Sequence, residues 1–263
     1  MWYDPHVITA STLALLRDPD TREALELHAD CLVNAGSGVR YPIREGIPVF
    51  VSAASGQNRK YQELYDRIAA FYDPALALAR WLKFNKDLRL EYIRELEIPE
   101  NARVLEVSVG TGLNLAYFPP HAELFGLDLS WGMLRQCRKN LRRWKRTAAL
   151  FHGEAERLPF ADASFDVVFH VGGINFFNDQ ARAIGEMIRV ARAGTKIVIV
   201  DETEKVVRGW YQKLPILRRY FRDRREAVTG PSALVPAEMR EIRCRKIMWG
   251  FLYCLTFRTP PVS

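Results

Sequence analysis

The stretch that decides the fold of this chain is Arg103-Val104-Leu105-Glu106-Val107-Ser108-Val109-Gly110-Thr111-Gly112. Its apolar residues at 104, 105 and 107 are typical of a strand that a parallel sheet buries on both faces. Gly110 and Gly112 follow in a turn, where the missing Cβ permits unusual backbone angles and a close ligand approach. A second short apolar strand, 125–130, contains Asp128, 16 residues after Gly112. A carboxylate about 20 residues beyond a glycine turn can bind ribose hydroxyls, so these two strands predict a nucleotide-type site.

The loop differs from the fingerprint that binds the pyrophosphate of a dinucleotide. That fingerprint reads G-x-G-x-x-G, whereas this chain has E-x-S-x-G-x-G, starting at Glu106. The Glu106 carboxylate would repel a pyrophosphate and suits a cationic ligand. Glycine turns also join strands to helices in many proteins without any ligand, so the turn alone leaves a purely structural interpretation open.

Three motifs, taken together, resemble those of class I S-adenosylmethionine-dependent methyltransferases, and most of all the group that contains the ubiquinone- and menaquinone-biosynthesis C-methyltransferases. The motifs are 104–112, 126–130 and 153–168, and the resemblance covers residues 61–203 and 237–258. It implies an α/β fold with a doubly wound, mostly parallel seven-stranded sheet, methyl transfer as the activity and S-adenosylmethionine as the cofactor. Two departures stand out, because Ser108 replaces the usual first glycine and Glu154 replaces a commoner aspartate.

The resemblance also implies roles for single residues. Glu106 would contact the methionine amino group, indirectly or through the loop, and Asp128 would hold both ribose hydroxyls. Leu129 and Met133 would pack on the adenine, whose edge the pair 154–155 would read. The predicted cofactor-binding residues are Tyr65, Tyr72, Glu106, Ser108, Gly110, Gly112, Asn114, Asp128, Leu129, Met133, Gly153, Glu154, Ala155 and His170.

The helical spacing of apolar residues over 59–97 places two tyrosines ahead of the first motif. Tyr65 and Tyr72 either form an aromatic lid over a sulfonium, since cations are attracted to π faces, or pack on the sheet. For Trp81 the packing interpretation is preferred.

A predicted fourth strand, 167–171, carries the candidate catalytic residue His170. An imidazole could deprotonate an acceptor, or it could simply cap the strand by bonding to backbone. Methyl transfer is an in-line displacement in which positioning supplies much of the rate, so a base is not required. The predicted substrate-lining residues are Ile174, Asn175, Phe176, Trp210 and Tyr211.

Further elements complete the predicted sheet. A fifth strand is predicted over 197–201, preceded by a helix over 179–191. An antiparallel pair over 247–249 and 251–257 would close the sheet. The methyltransferase domain is predicted to span 53–263, with an insertion at about 204–236.

Residues 1–52 are predicted to form a small β-rich unit with short apolar runs at 13–16, 24–27 and 31–33. Its ending, 41–50, resembles the closing motif of small zinc-ribbon proteins that activate methyltransferases. The Cys-Pro-x-Cys pair of that family falls here on Asp18-Pro19-Asp20-Thr21, and a later cysteine position falls on Asn34. Cys31 alone cannot supply the four N or S ligands of a structural zinc site, so no metal is predicted.

Composition fits an enzyme of the cytoplasm. The chain has 263 residues, 48% of them apolar, and four cysteines without a C-x-x-C pairing or an evident signal peptide. The formal charge of +7 is concentrated at 135–146 and 205–225. The first segment is either a solvated helix face or a surface for phosphate or membrane. The second combines an apolar stripe with arginines, which suits a lid over an apolar substrate or an interfacial helix on an anionic inner-membrane face.

The sequence therefore predicts an S-adenosylmethionine-dependent methyltransferase with a small apolar or amphipathic acceptor, namely a quinone, a phenol, a thiol or a lipid headgroup. An RNA methyltransferase is the first alternative, because of the basic charge and the ribbon-like N-terminus, although the Asn-Pro-Pro-Tyr motif of base-amine methyltransferases is absent. The second alternative is a protein that binds the cofactor as a sensor or scaffold without turnover.

Overall fold

The computed structural model describes residues 8–51, 53–83, 89–206 and 230–261, with the side chains of all of these except 75–83. The predictions for the side chains of Trp81, Trp210 and Tyr211 lie outside the described residues, as does most of the segment 205–225. Within the described ranges, no helix has the length and apolar character needed to cross a membrane.

Helices and strands alternate through the larger part of the chain. The described helices are α1 (Ala10–Leu15), α2 (Gly56–Lys83), α3 (Leu90–Ile93), α4 (Trp131–Trp144), α5 (Gln180–Val190) and α6 (Glu204–Val206). The described strands are β1 (Leu25–His28), β2 (Cys31–Asn34), β3 (Arg40–Arg44), β4 (Ile47–Pro48), β5 (Arg103–Val107), β6 (Glu123–Asp128), β7 (Ala149–His152), β8 (Val167–Val171), β9 (Lys196–Glu202), β10 (Arg240–Ile247) and β11 (Leu252–Arg258).

The main sheet confirms the predicted doubly wound arrangement. Among the described strands, seven pair in the order β10-β11-β9-β8-β5-β6-β7, and only the pairings of β11 with its two neighbours are antiparallel. The chain runs outward from β5 to β7 and then crosses back to β8 on the other side of β5. Ligands of open α/β sheets bind at the carboxyl ends of the strands where the order reverses, which here is the crevice between β5 and β8.

The central strands are buried on both faces, as their apolar runs predict. Val104, Leu105 and Val107 are completely buried in β5. Behind β6 and β7, the rings of Phe125, Phe151, Phe160 and Phe165 meet edge to face at centroid distances between 5.0 and 6.4 Å. Each such aromatic pair contributes about 0.5–1.5 kcal/mol beyond the area it buries.

Helix α4 places its basic residues toward solvent. Ser130 caps its N-terminus by accepting a 3.1 Å hydrogen bond from the Met133 amide. Cys137 and Leu141 are buried, whereas Arg142 and Arg143 are exposed. Basic residues therefore lie on the outer surface of this helix, and both interpretations of that surface, as a solvated face or as a surface for phosphate or membrane, stay predictions.

The N-terminal unit is a four-stranded antiparallel sheet, β1-β2-β3-β4, that shares its core with the main sheet. Leu16, Leu32 and Phe50 belong to the same buried cluster as the main-sheet phenylalanines. Val49 forms a parallel bridge with His152 of β7, and the Phe50 amide donates to the His152 carbonyl at 2.8 Å. The division into units 1–52 and 53–263 stays a prediction.

Hydrogen bonds join the residues that occupy the zinc-ligand positions of the ribbon family. The Asn34 amide group donates to Asp18 Oδ2 at 2.8 Å and to Thr21 Oγ1 at 2.9 Å. The other Asp18 oxygen accepts the backbone amides of Asp20 and Thr21. Cys31 lies apart from them and donates its thiol to the His28 carbonyl. Across the described residues, no three His, Cys, Asp or Glu side chains form a group that could hold a metal ion.

Two predicted segments are wrong in detail. The apolar run 13–16 belongs mostly to helix α1 rather than to a strand, because Thr9 caps a helix there and accepts from the Thr12 amide at 3.1 Å. The closing strand predicted at 247–249 lies earlier, at Arg240–Ile247, and Met248 and Trp249 form a turn with φ of 50° and 55°. Seven of the eight β10 residues are exposed. The sequence of this strand therefore lacks the alternation of apolar and polar residues that predicts a half-buried strand.

Candidate functional site

A pocket opens at the carboxyl ends of β9, β8, β5 and β6, where the strand order reverses. Helix α2 lies across it. The pocket residues that the sequence predicts are Tyr65, Tyr72, Ser108, Gly110, Asp128, Leu129, Met133 and Phe176, and the further lining residues are Asn58, Tyr61, Gln62, Ser130, Val171, Gly172, Gly173, Phe177 and Glu202. Ser108 and Gly110 of the loop after β5 thus lie around one cavity with Asp128 at the end of β6 and with Leu129 and Met133 beyond it.

The glycine loop has a left-handed backbone at three positions. The φ angles are 61° at Ser108, 55° at Gly110 and 77° at Gly112. Ser108 adopts, at a cost of about 1–2 kcal/mol, a conformation that glycine adopts freely, which explains why glycine is usual at this position. A Cβ on Gly110 would project into open space, whereas one on Gly112 would lie 2.5 Å from Cys137 Sγ. Gly112 therefore serves packing against α4 and does not line the pocket.

Asp128 joins the ends of β5 and β6. Its Oδ2 accepts the Gly110 amide at 2.7 Å, and its Oδ1 accepts the Ser130 amide at 2.8 Å. Burial raises the pKa of this carboxyl to about 6, against the lowering effect of the two amides. Asp128 thus shapes the loop and still lines the cavity in which a ribose is expected.

Glu106 is a buried carboxyl with one unsatisfied oxygen. Its Oε1 accepts from Asn114 Nδ2 at 2.6 Å, and Asn114 Oδ1 accepts from the Tyr92 hydroxyl at 2.8 Å. Within the described residues, Glu106 Oε2 has no hydrogen-bond partner. Burial raises the pKa of Glu106 to about 8. Such an oxygen suits a cationic donor such as an ammonium group. Glu106 and Asn114 lie behind the loop and do not line the cavity.

Two acids of α2 fix this helix over the loop, and the sequence predictions missed both roles. Asp73 accepts from Thr111 Oγ1 and from Asn140 Nδ2, both at 2.6 Å. Asp66 accepts from Ser130 Oγ at 2.6 Å and from the Gly132 amide at 2.8 Å. The two aspartates are seven residues apart, which places them on one helix face. That spacing was the feature of the sequence from which a shared role could have been predicted.

The tyrosines of α2 form an aromatic wall. The rings of Tyr65 and Tyr72 meet edge to face at 6.4 Å, and both line the pocket. Burial raises the pKa of Tyr72 to about 12 and that of Tyr65 well above its usual value, and the Glu202 charge is the next contribution to both. Both phenols are therefore neutral at physiological pH, as an aromatic wall requires.

His170 has both ring nitrogens engaged. Nδ1 lies 2.9 Å from the Val107 carbonyl, and Nε2 accepts the Ile174 amide at 3.0 Å. Since a carbonyl only accepts, Nδ1 carries the proton and the ring is neutral. Burial lowers the pKa of His170 to about 4. This geometry supports the strand-capping alternative and not the role of a base.

The third motif lies beside the pocket and does not line it. The Gly153 amide donates to the Asp128 carbonyl at 3.1 Å. The Glu154 carboxylate binds Arg157 at 3.0 Å and Asn58 at 3.3 Å, and Ala155 is buried. In this structure Glu154 thus reaches the cavity only through Asn58, so its predicted contact with an adenine edge stays a prediction.

The predicted substrate residues divide into two groups. Phe176 lines the pocket and stacks on Tyr61 at 4.4 Å. Ile174 and Asn175 are buried behind it, and Asn175 donates its side-chain amide to the Glu202 carbonyl at 2.9 Å. The sequence predictions did not include Glu202, whose place at a carboxyl strand end was its only local signal.

Comparison with known proteins agrees with this geometry. Residues 105–199 match the protein family described as a methyltransferase domain. A demethylmenaquinone methyltransferase of Listeria welshimeri is 27% identical over 171 residues, which is 63% of this chain and 71% of that protein. One from Thermotoga maritima is 35% identical over 155 residues, which is 56% of this chain and 63% of that protein.

A solved structure shares the fold. An S-adenosylmethionine-dependent methyltransferase of T. maritima superposes with a TM-score of 0.55 at 19% identity, covering 75% of this chain and 98% of that one. The parallel sheet with a glycine loop after β5, the acid at the end of β6 and the matched domain between β5 and β9 agree with each other. The chain is a class I S-adenosylmethionine-dependent methyltransferase.

Proposed function

We propose that this enzyme methylates a small aromatic acceptor that carries a hydroxyl group, of which a reduced quinone or a phenol is the simplest form. The observation that carries this proposal is the aromatic lining of the pocket by Tyr61, Tyr65, Tyr72, Phe176 and Phe177. Flat rings on several sides suit a planar acceptor. The relatives named demethylmenaquinone methyltransferases support the same acceptor class.

The residues present fit the cofactor. Asp128 lines the cavity at the end of β6, and Glu106, buried behind the glycine loop, has one oxygen without a hydrogen-bond partner among the described residues. Gly110 leaves room where a Cβ would project, and Leu129 and Met133 supply apolar surface. When bound, the cofactor supplies an electrophilic methyl group. The chain holds the two reactants together, which lowers the entropic cost of an in-line displacement.

The test is transfer of labelled methyl groups from S-adenosylmethionine. Reduced 1,4-naphthoquinone, total RNA and a lipid extract are each incubated with the purified protein, and the labelled fraction is identified. We expect label in methylated naphthalenediol. Label in RNA alone would replace this proposal with the nucleic-acid alternative. Tight cofactor binding without transfer to any fraction would favour the sensor alternative. Asp128→Ala serves as the control with impaired cofactor binding.

We also propose peripheral contact with an anionic membrane through the segment 205–225, argued from sequence alone. Trp210, Leu214, Leu217 and Phe221 recur at intervals of four, three and four residues, beside several arginines. An apolar stripe flanked by cations is typical of interfacial helices. Co-flotation with vesicles rich in phosphatidylglycerol is expected, with loss on Trp210→Glu. Equal flotation with neutral vesicles would contradict the charge-based part of the proposal.

A further inference from the structure

We propose that Gln62 of α2 selects the base of the cofactor, by accepting a hydrogen bond from the exocyclic amine of a 6-aminopurine. Gln62 lies outside the three sequence motifs and lines the pocket. The pair 154–155, for which the resemblance implies contact with the base, does not line the pocket in this structure. The contact belongs to cofactor binding, so it does not depend on which acceptor is methylated.

The order of the strands indicates where the base lies in the cavity. Asp128 ends β6, and an acid at this position suits ribose hydroxyls. The loop 108–110 after β5 lines the cavity on one side of Asp128, where Gly110 permits a close approach. Leu129 and Met133 line it beyond β6. With the amino-acid part of the cofactor at the loop, the apolar surface of Leu129 and Met133 is left for the base.

A hydrogen bond fixes the orientation of the Gln62 amide beside this surface. Gln62 Nε2 donates to the Leu129 carbonyl at 3.0 Å. Because a carbonyl only accepts, the nitrogen of this amide and not its oxygen faces Leu129. No hydrogen bond from the described part of the chain reaches Gln62 Oε1. The side chain is half-buried and belongs to the pocket lining, so this oxygen is an acceptor available to a ligand.

A second amide side chain of α2 joins the helix to the third motif instead. Asn58 lies one turn before Gln62 and also lines the pocket. Its Oδ1 accepts the Asn178 amide at 3.1 Å, and its Nδ2 donates to Glu154 at 3.3 Å and to Glu156 at 3.1 Å. Asn58 therefore serves the contact between two parts of the chain, whereas Gln62 offers its oxygen to the cavity.

A 6-aminopurine and a 6-oxopurine present opposite groups to Gln62 Oε1. The exocyclic amine of the first donates a hydrogen bond, whereas the carbonyl oxygen of the second only accepts. A site that is built to accept a hydrogen bond rejects a ligand that lacks the donor. One such bond left unmade in a partly closed pocket corresponds to about 10- to 100-fold in affinity.

Removal of the Gln62 amide should not disturb the fold. The Leu129 carbonyl also accepts from His152 Nε2 at 2.8 Å, so it keeps a donor when Gln62 is replaced. Helix α2 is held over the loop by the hydrogen bonds of Asp66 and Asp73. A change in base preference would therefore report a contact with the ligand and not a loss of structure.

The test compares two ligands that differ at position 6 of the purine, S-adenosylhomocysteine and S-inosylhomocysteine. Isothermal calorimetry measures the Kd of both for wild type, Gln62→Met and Gln57→Met, the last being an exposed control on the same helix outside the pocket. We expect wild type and the control to prefer the adenosyl ligand by about 10- to 100-fold. In Gln62→Met the two affinities should lie within about threefold, because the adenosyl ligand loses its hydrogen bond.

A second variant, Gln62→Glu, retains an acceptor oxygen and should retain the preference for the adenosyl ligand. Equal affinities in wild type, or an unchanged preference in Gln62→Met, would overturn the inference. Equal weakening of both ligands in Gln62→Met would also overturn it, since this would mark a structural role. A preference lost in Glu154→Gln and kept in Gln62→Met would assign base recognition to the third motif instead. Neither ligand has a methyl group to transfer, so failure of the proposed acceptor class leaves this measurement valid.

Discussion

Asp128 Oδ2 accepts a 2.7 Å hydrogen bond from the amide of Gly110, which joins the ends of two neighbouring parallel strands. The same carboxylate lines the pocket. One side chain therefore holds the glycine loop in shape and faces the cavity where the cofactor ribose is expected. Substitution of Asp128 should affect the loop and the cofactor together.

We expect Asp128→Ala to weaken the binding of S-adenosylmethionine by about 1–3 kcal/mol, since hydrogen bonds to a charged acceptor are lost. Isothermal calorimetry measures this directly. Glu123→Ala, at the opposite end of β6, is the matched control and should leave the affinity unchanged. An unchanged affinity in Asp128→Ala would remove this residue from the site.

The buried carboxyl of Glu106 predicts a dependence of ligand-free stability on pH. Its pKa rises from 4.5 to about 8 in the folded chain because of burial. The folded state therefore holds a proton that the unfolded state releases, so this contribution is complete below pH 4.5 and is lost as pH rises toward 8. The slope approaches about 1.4 kcal/mol per pH unit inside that window.

Glu106→Gln keeps the shape of the protonated acid and removes its titration. The free energy of unfolding from urea titrations at pH 5 and pH 8 should fall less in this variant than in wild type. Glu123→Gln, a more exposed acid, should behave as wild type. A pH dependence that survives in Glu106→Gln would assign it to other groups.

Alanine substitutions at the two loop glycines should have different effects, one on stability and the other on cofactor binding. Gly112→Ala places a Cβ 2.5 Å from Cys137 Sγ at a φ of 77°, and we expect a loss of about 2–4 kcal/mol in the free energy of unfolding. Cys137→Ala should relieve part of that loss in the double variant. Gly110→Ala has space for its Cβ, so beyond the strain of a side chain at a φ of 55° it should mainly weaken cofactor binding. Gly185→Ala in α5 meets nothing within 4 Å and is the control without a clash, for which helix propensity predicts a gain of up to about 1 kcal/mol.

Asn34 should stabilise the N-terminal unit through its hydrogen bonds, at the position where a zinc ribbon is stabilised by its metal. It donates to Asp18 and Thr21 and accepts the amides of Gly36 and Ser37. We expect Asn34→Ala to cost about 2–4 kcal/mol, because it leaves buried partners unsatisfied. A zinc chelator should leave the Tm of wild type unchanged, and a clear drop in Tm would show a bound metal. Ser37→Ala is the exposed control.

The fold could be predicted from the sequence where a single strand or helix has a recognisable pattern of apolar residues. Strand β5 could be found because both of its faces are buried, so its apolar run is continuous. Strand β10 could not, because it lies at the outer edge of the sheet and exposes almost every side chain. The helix α1 was also missed, since six residues carry too little periodicity to distinguish a helix from a strand.

The candidate site divides in the same way. Gly110 and Asp128 belong to local motifs and lie together in the pocket as predicted. Asp73 was missed because its partners Thr111 and Asn140 are 38 and 67 residues away, and no local pattern encodes such contacts. His170 was predicted as either base or cap, and only the contacts of its two nitrogens distinguish these.

The bridge between Val49 and His152 also bears on how the main sheet avoids pairing edge to edge with the sheet of a second molecule. Exposed strand edges invite pairing with a second chain and hence aggregation. At β7 the backbone of the N-terminal unit pairs with His152, at the carboxyl end of the strand. At the opposite border, β10 presents Arg240, Arg243, Arg245 and Lys246, and two such strands would repel each other. A protein that lacks the first 50 residues would keep the positive charges of β10 but lose the backbone pairing at β7. We therefore expect it to aggregate at concentrations at which the full chain does not.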